Sequence, residues 1–148
     1  MTTTDESQAR PLPPIPVPDE LSAEFWRLAA EGVLATQRCT ACGWRAYPPR
    51  MVCVGCHADP PGFEWAPVSG RGRLATWTII RDALLPGFAH LTPYVVAEVE
   101  LEEQDGLRVV ARLHDVPEDA LAIGLPLTVQ FVDGGEGTAI PVFARADS

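Results

Sequence analysis

Two neighbouring segments in the second half of the chain alternate between apolar and polar residues. In 94–101 the positions 95, 97, 99 and 101 are apolar, and both 98 and 100 are glutamates. In 107–113 the odd-numbered positions are again apolar, and both 108 and 112 are arginines. A period of two is typical of a strand with one buried face. We therefore predict a hairpin whose outer face pairs glutamates with arginines.

Three further segments have the character of strands. Residues 73–81 are rich in Thr, Trp and Ile, and apolar residues recur at every second position from Leu127 to Phe131. The last segment, 140–144, contains a proline and therefore belongs at an edge or a bulge. With a brief helical turn at 118–123, the pattern predicts a five-stranded OB-fold barrel.

A short amphipathic helix is predicted before these strands. Asp19 or Ser22 can cap its start, and Gly32 provides a stop. Its apolar side chains, Phe25 among them, fall on one face, with Trp26 at the edge. A helix this short needs a surface to pack against.

The chain begins with a segment in which five prolines fall between positions 11 and 18. Proline lacks a backbone donor and fixes φ, which favours an extended, polyproline-like path. We predict that residues 1–18 form a flexible lead that is poorly ordered unless a partner holds it.

Charge and hydropathy limit the classes of partner. The eleven basic residues are all arginine, against twenty acids, and the net charge is −9. Such a surface repels a phosphate backbone, so nucleic acid is not an expected partner. No apolar run reaches membrane-spanning length, and residues 1–10 are polar with no signal core. We therefore expect a cytoplasmic protein with no membrane partner.

The strongest chemical signal is a pair of Cys-x-x-Cys motifs. Cys39 and Cys42 are followed, after ten residues, by Cys53 and Cys56. Two residues between paired cysteines let both thiolates point at one centre, and two such turns supply the tetrahedron that zinc accepts. Four protein ligands leave no position for water, so the predicted zinc site is structural.

Alternatives to zinc at these cysteines depend on the same four sulfurs. Iron in a rubredoxin-like site is the alternative metal, whereas a redox role is disfavoured because no βαβ pattern accompanies the motifs. Gly43 and Gly55 ease the tight backbone of the two turns, and His57 is interpreted as a surface residue. Arg38, Arg45 and Arg50 lie close enough in sequence to offset the negative charge of the site.

Motifs of catalysis are missing from the sequence. It contains no nucleophile elbow, phosphate-binding loop, dinucleotide fingerprint or His-Glu-x-x-His motif. The three histidines are scattered, and all four thiols are committed to a metal. We expect neither an organic cofactor nor catalysis by this chain alone.

Taken in order, these features resemble the family called domain of unknown function thirty-five, which joins a rubredoxin-like zinc ribbon to an OB-fold. The resemblance divides the chain into the lead, a helical segment (19–37), the zinc ribbon (38–67) and the OB-fold (68–148). The matching residues are Phe25-Trp26, Gly32, Cys39 to Gly43, Tyr47 to Arg50, Cys53 to Cys56, Glu64-Trp65, Val68 to Gly72, Pro93-Tyr94, Ile123-Gly124 and Pro141 to Phe143.

The resemblance implies a non-catalytic accessory subunit of a thiolase-like or hydratase-like enzyme that acts on acyl-CoA thioesters. Some members serve an aldolase that shortens steroid side chains, and others bridge a thiolase to a second enzyme. We expect the helix, the ribbon and an unusually apolar loop to contact the partner. The contact residues predicted on this basis are Phe25, Trp26, Leu84, Leu85 and Phe88.

Two other functions compete with this interpretation. As an acyl-CoA-binding module, the chain would use Arg71 and Arg73 for the nucleotide end, and the apolar loop for the acyl part. Binding of single-stranded nucleic acid is a third possibility, since OB-folds often perform it. From residue 70 onward, however, six arginines face twelve acids, a net of −6, which disfavours that function.

Overall fold

A computed structural model describes residues 11–147 and shows one α-helix followed by eight β-strands and two short 3-10 helices. No helix among these residues is long and apolar enough to cross a bilayer. The elements are α1 (Ala23–Ala30), β1 (Ala35–Cys39), β2 (Arg45–Ala46), β3 (Phe63–Pro67), β4 (Arg71–Ile80), β5 (Tyr94–Leu101), β6 (Arg108–Arg112), β7 (Pro126–Gly135) and β8 (Thr138–Arg145), with 3-10 helices at Pro86–Leu91 and Glu118–Ala120.

Strands β4 to β8 form the predicted OB-fold. They make one antiparallel sheet in the order β6-β5-β4-β7-β8. Leu113, just after β6, forms a parallel bridge with Phe143 of β8, and the N–H of His114 donates to the Phe143 carbonyl at 2.7 Å. Because this bridge joins the two end strands, the sheet closes into a barrel. The prediction of five strands with a short helical insert is confirmed.

The hairpin β5–β6 has the predicted arrangement of faces. Arg108 lies opposite Glu100, and its guanidinium pairs with Glu98 at 3.1 Å and with Glu100 at 3.4 Å. The alternating apolar residues on the other face are buried and pack with Leu127 and Phe143 in the core. A slip of one residue would turn this face to water, so the pattern itself specifies the register.

Helix α1 packs its apolar face against β8 and β1. Its start is fixed by Asp19, whose carboxylate accepts from the N–H of Ser22 at 2.7 Å. Its end is fixed by Gly32, which adopts a φ of 77° that other residues rarely tolerate. Phe25 and Ala29 are the buried residues of the helix.

The smaller sheet, β2-β1-β3, supports the two cysteine turns and is hydrogen-bonded to the barrel. The side-chain amide of Gln104, in the β5–β6 turn, accepts from the Arg45 N–H at 2.8 Å and donates to the Arg45 carbonyl at 3.0 Å. The neighbouring Glu103 accepts from the Ser69 N–H at 2.5 Å. These bonds hold the ribbon on one end of the hairpin. The ribbon sheet begins at Ala35, within the segment predicted to be helical.

The proline-rich lead has intramolecular contacts that the sequence did not predict. Residues 1–10 lie outside the described part of the chain, and residues 11–18 lie against the barrel. A methyl group placed on Gly87 would stand 2.3 Å from the carbonyl oxygen of Leu12, so the two backbones approach closely. The described part of the lead therefore contacts the barrel at Leu12 and Ile15, and its flexibility stays a prediction.

Candidate metal centre and contact surfaces

The four cysteines converge on one point at the end of the ribbon sheet. Their Sγ atoms all lie within 4.8 Å of one another. The Sγ atoms of Cys39 and Cys56 are 3.7 Å apart, as are those of Cys42 and Cys53. Zinc bound tetrahedrally at roughly 2.3 Å per sulfur places neighbouring sulfurs about 3.8 Å apart. The four sulfurs therefore fit one tetrahedral metal ion.

Both Cys-x-x-Cys turns are closed by the same backbone bond. The N–H of Gly43 donates to the carbonyl of Cys39 at 2.8 Å, and the N–H of His57 donates to that of Cys53 at 3.0 Å. Gly43 has a φ of 78° and His57 a φ of 54°, so each turn ends in a left-handed residue. His57 thus has a backbone role and lies outside the sulfur cluster.

Gly55 is required by a side chain rather than by its backbone angle. A methyl group at this position would lie 3.0 to 3.3 Å from side-chain atoms of Trp44, whose indole covers the second turn. The prediction that both glycines ease the turns is therefore right for Gly43, whereas Gly55 makes room for an aromatic ring.

Hydrogen bonding and crowding act in opposite directions on the thiols. The backbone N–H of Cys42 lowers the pKa of the Cys39 thiol to about 7, against the opposing effect of burial. The N–H of Trp44 also lowers the pKa of Cys42, but burial and the three neighbouring sulfurs outweigh it and raise that pKa to about 12. Four thiolates at this spacing repel one another, and a cation at their centre removes the repulsion.

Two of the three arginines expected to offset the site's charge, Arg38 and Arg45, have other partners, whereas the role of Arg50 stays a prediction. Arg38 pairs with the carboxylate of Glu64 on the adjacent strand. Arg45 directs its guanidinium to the hydroxyl of Thr36 at 3.2 Å and to the carbonyl of Ala66 at 3.4 Å. The role predicted for them is therefore not seen, because cross-strand neighbours satisfy both side chains.

Phe25 and Trp26, which the sequence placed at the partner contact, have different surroundings. Phe25 is 4% exposed, and its ring centroid lies 5.5 Å from that of Tyr47 and 6.3 Å from that of Trp65. Trp26 meets it edge to face at 5.1 Å and stays partly exposed. A partner cannot reach the Phe25 ring, so only Trp26 remains available as a contact from this helix.

The apolar loop between β4 and β5 projects hydrophobic side chains into solvent. Leu84 is fully exposed and Leu85 is half exposed, whereas Phe88 turns inward and stacks obliquely on Tyr94 at 6.1 Å. Large apolar side chains in such positions mark contact surfaces when they cluster. The tip formed by Leu84 and Leu85 is therefore the accessible part of the predicted surface.

A second exposed apolar cluster lies on the ribbon and was not singled out from the sequence. Met51, Val52 and Val54 flank the third cysteine, and Met51 is 77% exposed. We call these three residues the ribbon tip. The sequence contains the signal for this cluster, namely three apolar residues beside one metal ligand. Because the metal fixes the turn, these side chains have no core to enter.

The structure separates the two halves of the predicted acyl-CoA site. Arg73 lies near the start of β4, whereas the apolar loop follows the end of that strand. At roughly 3.3 Å per residue, Arg73 is about 23 Å from the end of β4. Arg71 is already paired with Glu102 at 2.6 Å. The recess beside these arginines, about 380 Å³, is also lined by three acids. An anionic nucleotide is poorly matched to such a lining.

A larger recess, of about 690 Å³, adjoins the apolar loop. Its polar lining includes His90, Arg112, His114 and Glu118, and its apolar lining includes Tyr94. No ion pair of Arg112 is found within residues 11–147. Glu118 forms an ion pair with Arg81, which lies outside the recess. The volume is within the range of small-molecule sites.

Comparison with known proteins supports the assignment of both modules. Residues 26–62 match the rubredoxin-like zinc ribbon domain of ChsH2, and residues 65–132 match its C-terminal OB-fold domain. A DUF35 domain-containing scaffold protein of Methanocaldococcus jannaschii is 31% identical over 124 residues, which are 80% of this chain and 85% of that protein. A probable enoyl-CoA hydratase alpha subunit of Thermomonospora curvata is 31% identical over 98% of this chain, which spans only 44% of that protein.

Two solved structures resemble the fold. A chain of the Ltp2-ChsH2(DUF35) aldolase superposes with a TM-score of 0.78 at 29% identity, covering 89% of this chain and 99% of that one. A DUF35 protein of Sulfolobus solfataricus superposes with a TM-score of 0.56 over 86% of each chain. The latter is only 12% identical, so it supports the fold alone.

Proposed function

This chain belongs to the DUF35 family of scaffold proteins, and from that membership we propose that it is a non-catalytic accessory subunit of a thiolase-like or aldolase-like enzyme. The observation that carries the proposal is its likeness to the DUF35 chain of an aldolase assembly over nearly the whole of that chain. Acyl-CoA thioesters, including those of steroid or lipid side chains, are the substrates that we propose for the assembly. The cluster of four cysteines at metal-binding distance favours the cytoplasm as its location, because thiols persist in a reducing compartment.

The surface of the chain supports a docking role. The loop tip of Leu84 and Leu85 and the ribbon tip each expose large apolar side chains, and Trp26 adds part of an indole. Isolated exposed leucines are ordinary, but exposed clusters on loops held by a rigid scaffold favour association with another protein. In this proposal the partner contributes the nucleophilic or basic groups, and this chain contributes contact surface.

The metal that we propose for the four cysteines is zinc, in a structural role. Four thiolates at tetrahedral spacing saturate the ion, so it would hold the ribbon together and leave no position for substrate. Iron is the alternative, because the same ligands bind it. Elemental analysis of the purified protein distinguishes the two, with about one zinc per chain as the expected result. A stoichiometric iron content, together with the colour of a ferric-thiolate site, would show that the metal is iron and not zinc.

Co-expression tests the accessory role. The chain should co-elute with a thiolase-like acyl-CoA enzyme of the same organism, and that enzyme should lose activity or solubility when the chain is withheld. Leu84→Arg should reduce co-elution at least tenfold by placing a charge in the contact. Ile123→Arg is the matched control. Ile123 is 80% exposed, and the adjacent Gly124 N–H is bonded to Leu74 on β4, away from the loop.

A partner that is fully active and soluble by itself would overturn the accessory role. Equal loss of co-elution in both arginine variants would overturn the contact at the loop tip, since that contact requires that only Leu84→Arg disturbs it.

Acyl-CoA binding by the isolated chain is a second candidate, favoured by the 690 Å³ recess beside the apolar loop. Arg112 is the cation that could meet an anionic group there, in place of the predicted Arg71 and Arg73. Calorimetry with a series of acyl-CoAs tests it. Binding that falls at least tenfold in Arg112→Ala but not in Arg73→Ala would support the recess, and no heat with any acyl-CoA would exclude the candidate.

A further inference from the structure

The described part of the lead crosses two loops at one end of the barrel. Its Leu12 backbone lies against Gly87 in the β4–β5 loop, where a methyl group would also stand 2.5 Å from the Leu12 carbonyl carbon. Further along, the Ile15 side chain lies against Gly135, where a methyl group would meet its Cδ1 at 3.3 Å. Gly135 is the last residue of β7 and begins the β7–β8 turn.

These two loops are the ones that flank the ligand surface of many OB-folds. In this barrel β4 and β5 are the first and second strands, and β7 and β8 are the fourth and fifth. Oligonucleotides and oligosaccharides bind OB-folds beside the loops that join these same strand pairs. Residues 11–18 therefore touch both of the loops that flank the ligand surface in other OB-folds.

Some side chains of the lead pack on the barrel and others meet solvent. Pro13, Ile15 and Pro16 are partly buried, whereas Leu12 and Val17 are 80% and 90% exposed. In a polyproline helix residues three apart share a face; Pro13 and Pro16 fit this rule and Leu12 and Ile15 do not. Ile15 is therefore one of the packed side chains and Val17 one of the exposed ones.

The surface beneath the lead suits a ligand of this kind. The backbone of Gly87 has no side chain to hold the lead away, and this glycine is buried although it lies in a loop. A proline-rich segment loses little entropy when it binds, because its extended conformation is preformed.

We propose that the β4–β5 loop and the β7–β8 turn form a groove for extended, proline-rich peptides, and that residues 11–18 are its resident ligand. The lead is tethered close to the groove, at an effective concentration on the order of millimolar. A second proline-rich segment must compete with it. This inference depends on the barrel and the lead alone and does not require the proposed partner enzyme.

A matched pair of full-length variants tests the groove. Ile15→Asp should displace the lead by placing a carboxylate on its packed face, whereas Val17→Asp adds the same charge on the exposed face and leaves the lead bound. A fluorescent peptide with the natural sequence of residues 11–18 is then titrated against each isolated chain. We expect Ile15→Asp to bind it about tenfold more tightly than Val17→Asp, because only the latter keeps its internal competitor.

A third variant locates the binding at the groove. Gly87→Ala, added to Ile15→Asp, puts a methyl group where the three nearest atoms all belong to the lead, so peptide binding should fall at least tenfold while the thermal midpoint is kept. Equal binding by the Ile15→Asp and Val17→Asp chains, or no saturable binding by either, would overturn the proposal. So would a folded double variant that binds the peptide as tightly as Ile15→Asp.

Discussion

Replacement of Phe25 by alanine is the sharpest test of how the helix, the ribbon and the barrel are joined. The ring lies between Trp26, Tyr47 and Trp65, and the ribbon strand β3 supplies the last of these. It also belongs to the same buried cluster as the barrel residue Leu74. Truncation therefore removes contacts to all three parts of the chain.

The size of the effect follows from burial and ring contacts. Phe→Ala substitutions at buried sites cost about 3–5 kcal/mol, and each aromatic pair contributes about 0.5–1.5 kcal/mol of that total. With three neighbouring rings and 4% exposure, we expect a loss of about 4 kcal/mol for Phe25→Ala. A typical domain has only about 5–15 kcal/mol in all, so this loss is a large fraction of the total stability.

Urea denaturation followed by tryptophan fluorescence measures this loss directly, because two of the four tryptophans lie beside the ring. Phe25→Leu keeps most of the apolar volume and should cost less than about 1.5 kcal/mol. Leu84→Ala removes a fully exposed side chain and should change the free energy of unfolding by less than about 0.5 kcal/mol.

A loss below about 1 kcal/mol for Phe25→Ala would refute the reasoning. If that variant were as stable as the natural protein and bound the partner enzyme less tightly, the ring would be a contact residue after all. Measurements of stability and of partner binding on the Phe25→Ala variant therefore separate the two interpretations, with Leu84→Ala as the reference for an exposed side chain.

Three further predictions concern the bound metal, the hydrogen bonds of Gln104 that join the ribbon to the barrel, and the stability of the protein at acid pH. A strong chelator should unfold the ribbon, and Cys42→Ser should abolish stoichiometric metal, as circular dichroism and elemental analysis will show. Gln104→Ala leaves the N–H and C=O of Arg45 unpaired and should cost about 2 kcal/mol in urea; a loss under about 0.5 kcal/mol would contradict this. A hydrogen bond from Arg71 lowers the pKa of Glu102, so stability from this pair is present above the unfolded value near 4.5 and is lost as pH falls through the lowered pKa. Thermal melts of Glu102→Gln should be less sensitive to acid in that window, and unchanged sensitivity would count against the pair.

The barrel and the metal site could be predicted because their signals are local. Alternation in 94–101 and 107–113 specifies which face is buried, and a buried face in turn specifies the register. The spacing of the cysteines likewise brings four sulfurs together without knowledge of the rest of the chain. The residues around the cysteines were harder to assign, as Arg38 and Gly55 show, because cross-strand neighbours decide their roles.

Contacts between distant parts of the chain could not be predicted from such patterns. Phe25 looked like a candidate for an outer contact because periodicity identifies an apolar face without identifying what covers it. Arg73 and the apolar loop were assigned to one acyl-CoA site although Arg73 begins the predicted strand and the loop follows its end, because the length of that strand was not converted into a distance. The junction made by Gln104 joins residues 59 positions apart and leaves no signal in composition or period.

The junction at Gln104 has a consequence for how selective docking would be. It fastens the ribbon to the hairpin turn, so the ribbon tip and the loop tip belong to one stiff body. A partner that engages both tips gives up its translational and rotational freedom only once, and the second contact adds nearly its full strength. A protein that offers a single hydrophobic patch, or two at the wrong separation, would gain only one weak contact. The distance between the tips, more than the chemistry of either, would then distinguish the correct enzyme from its relatives.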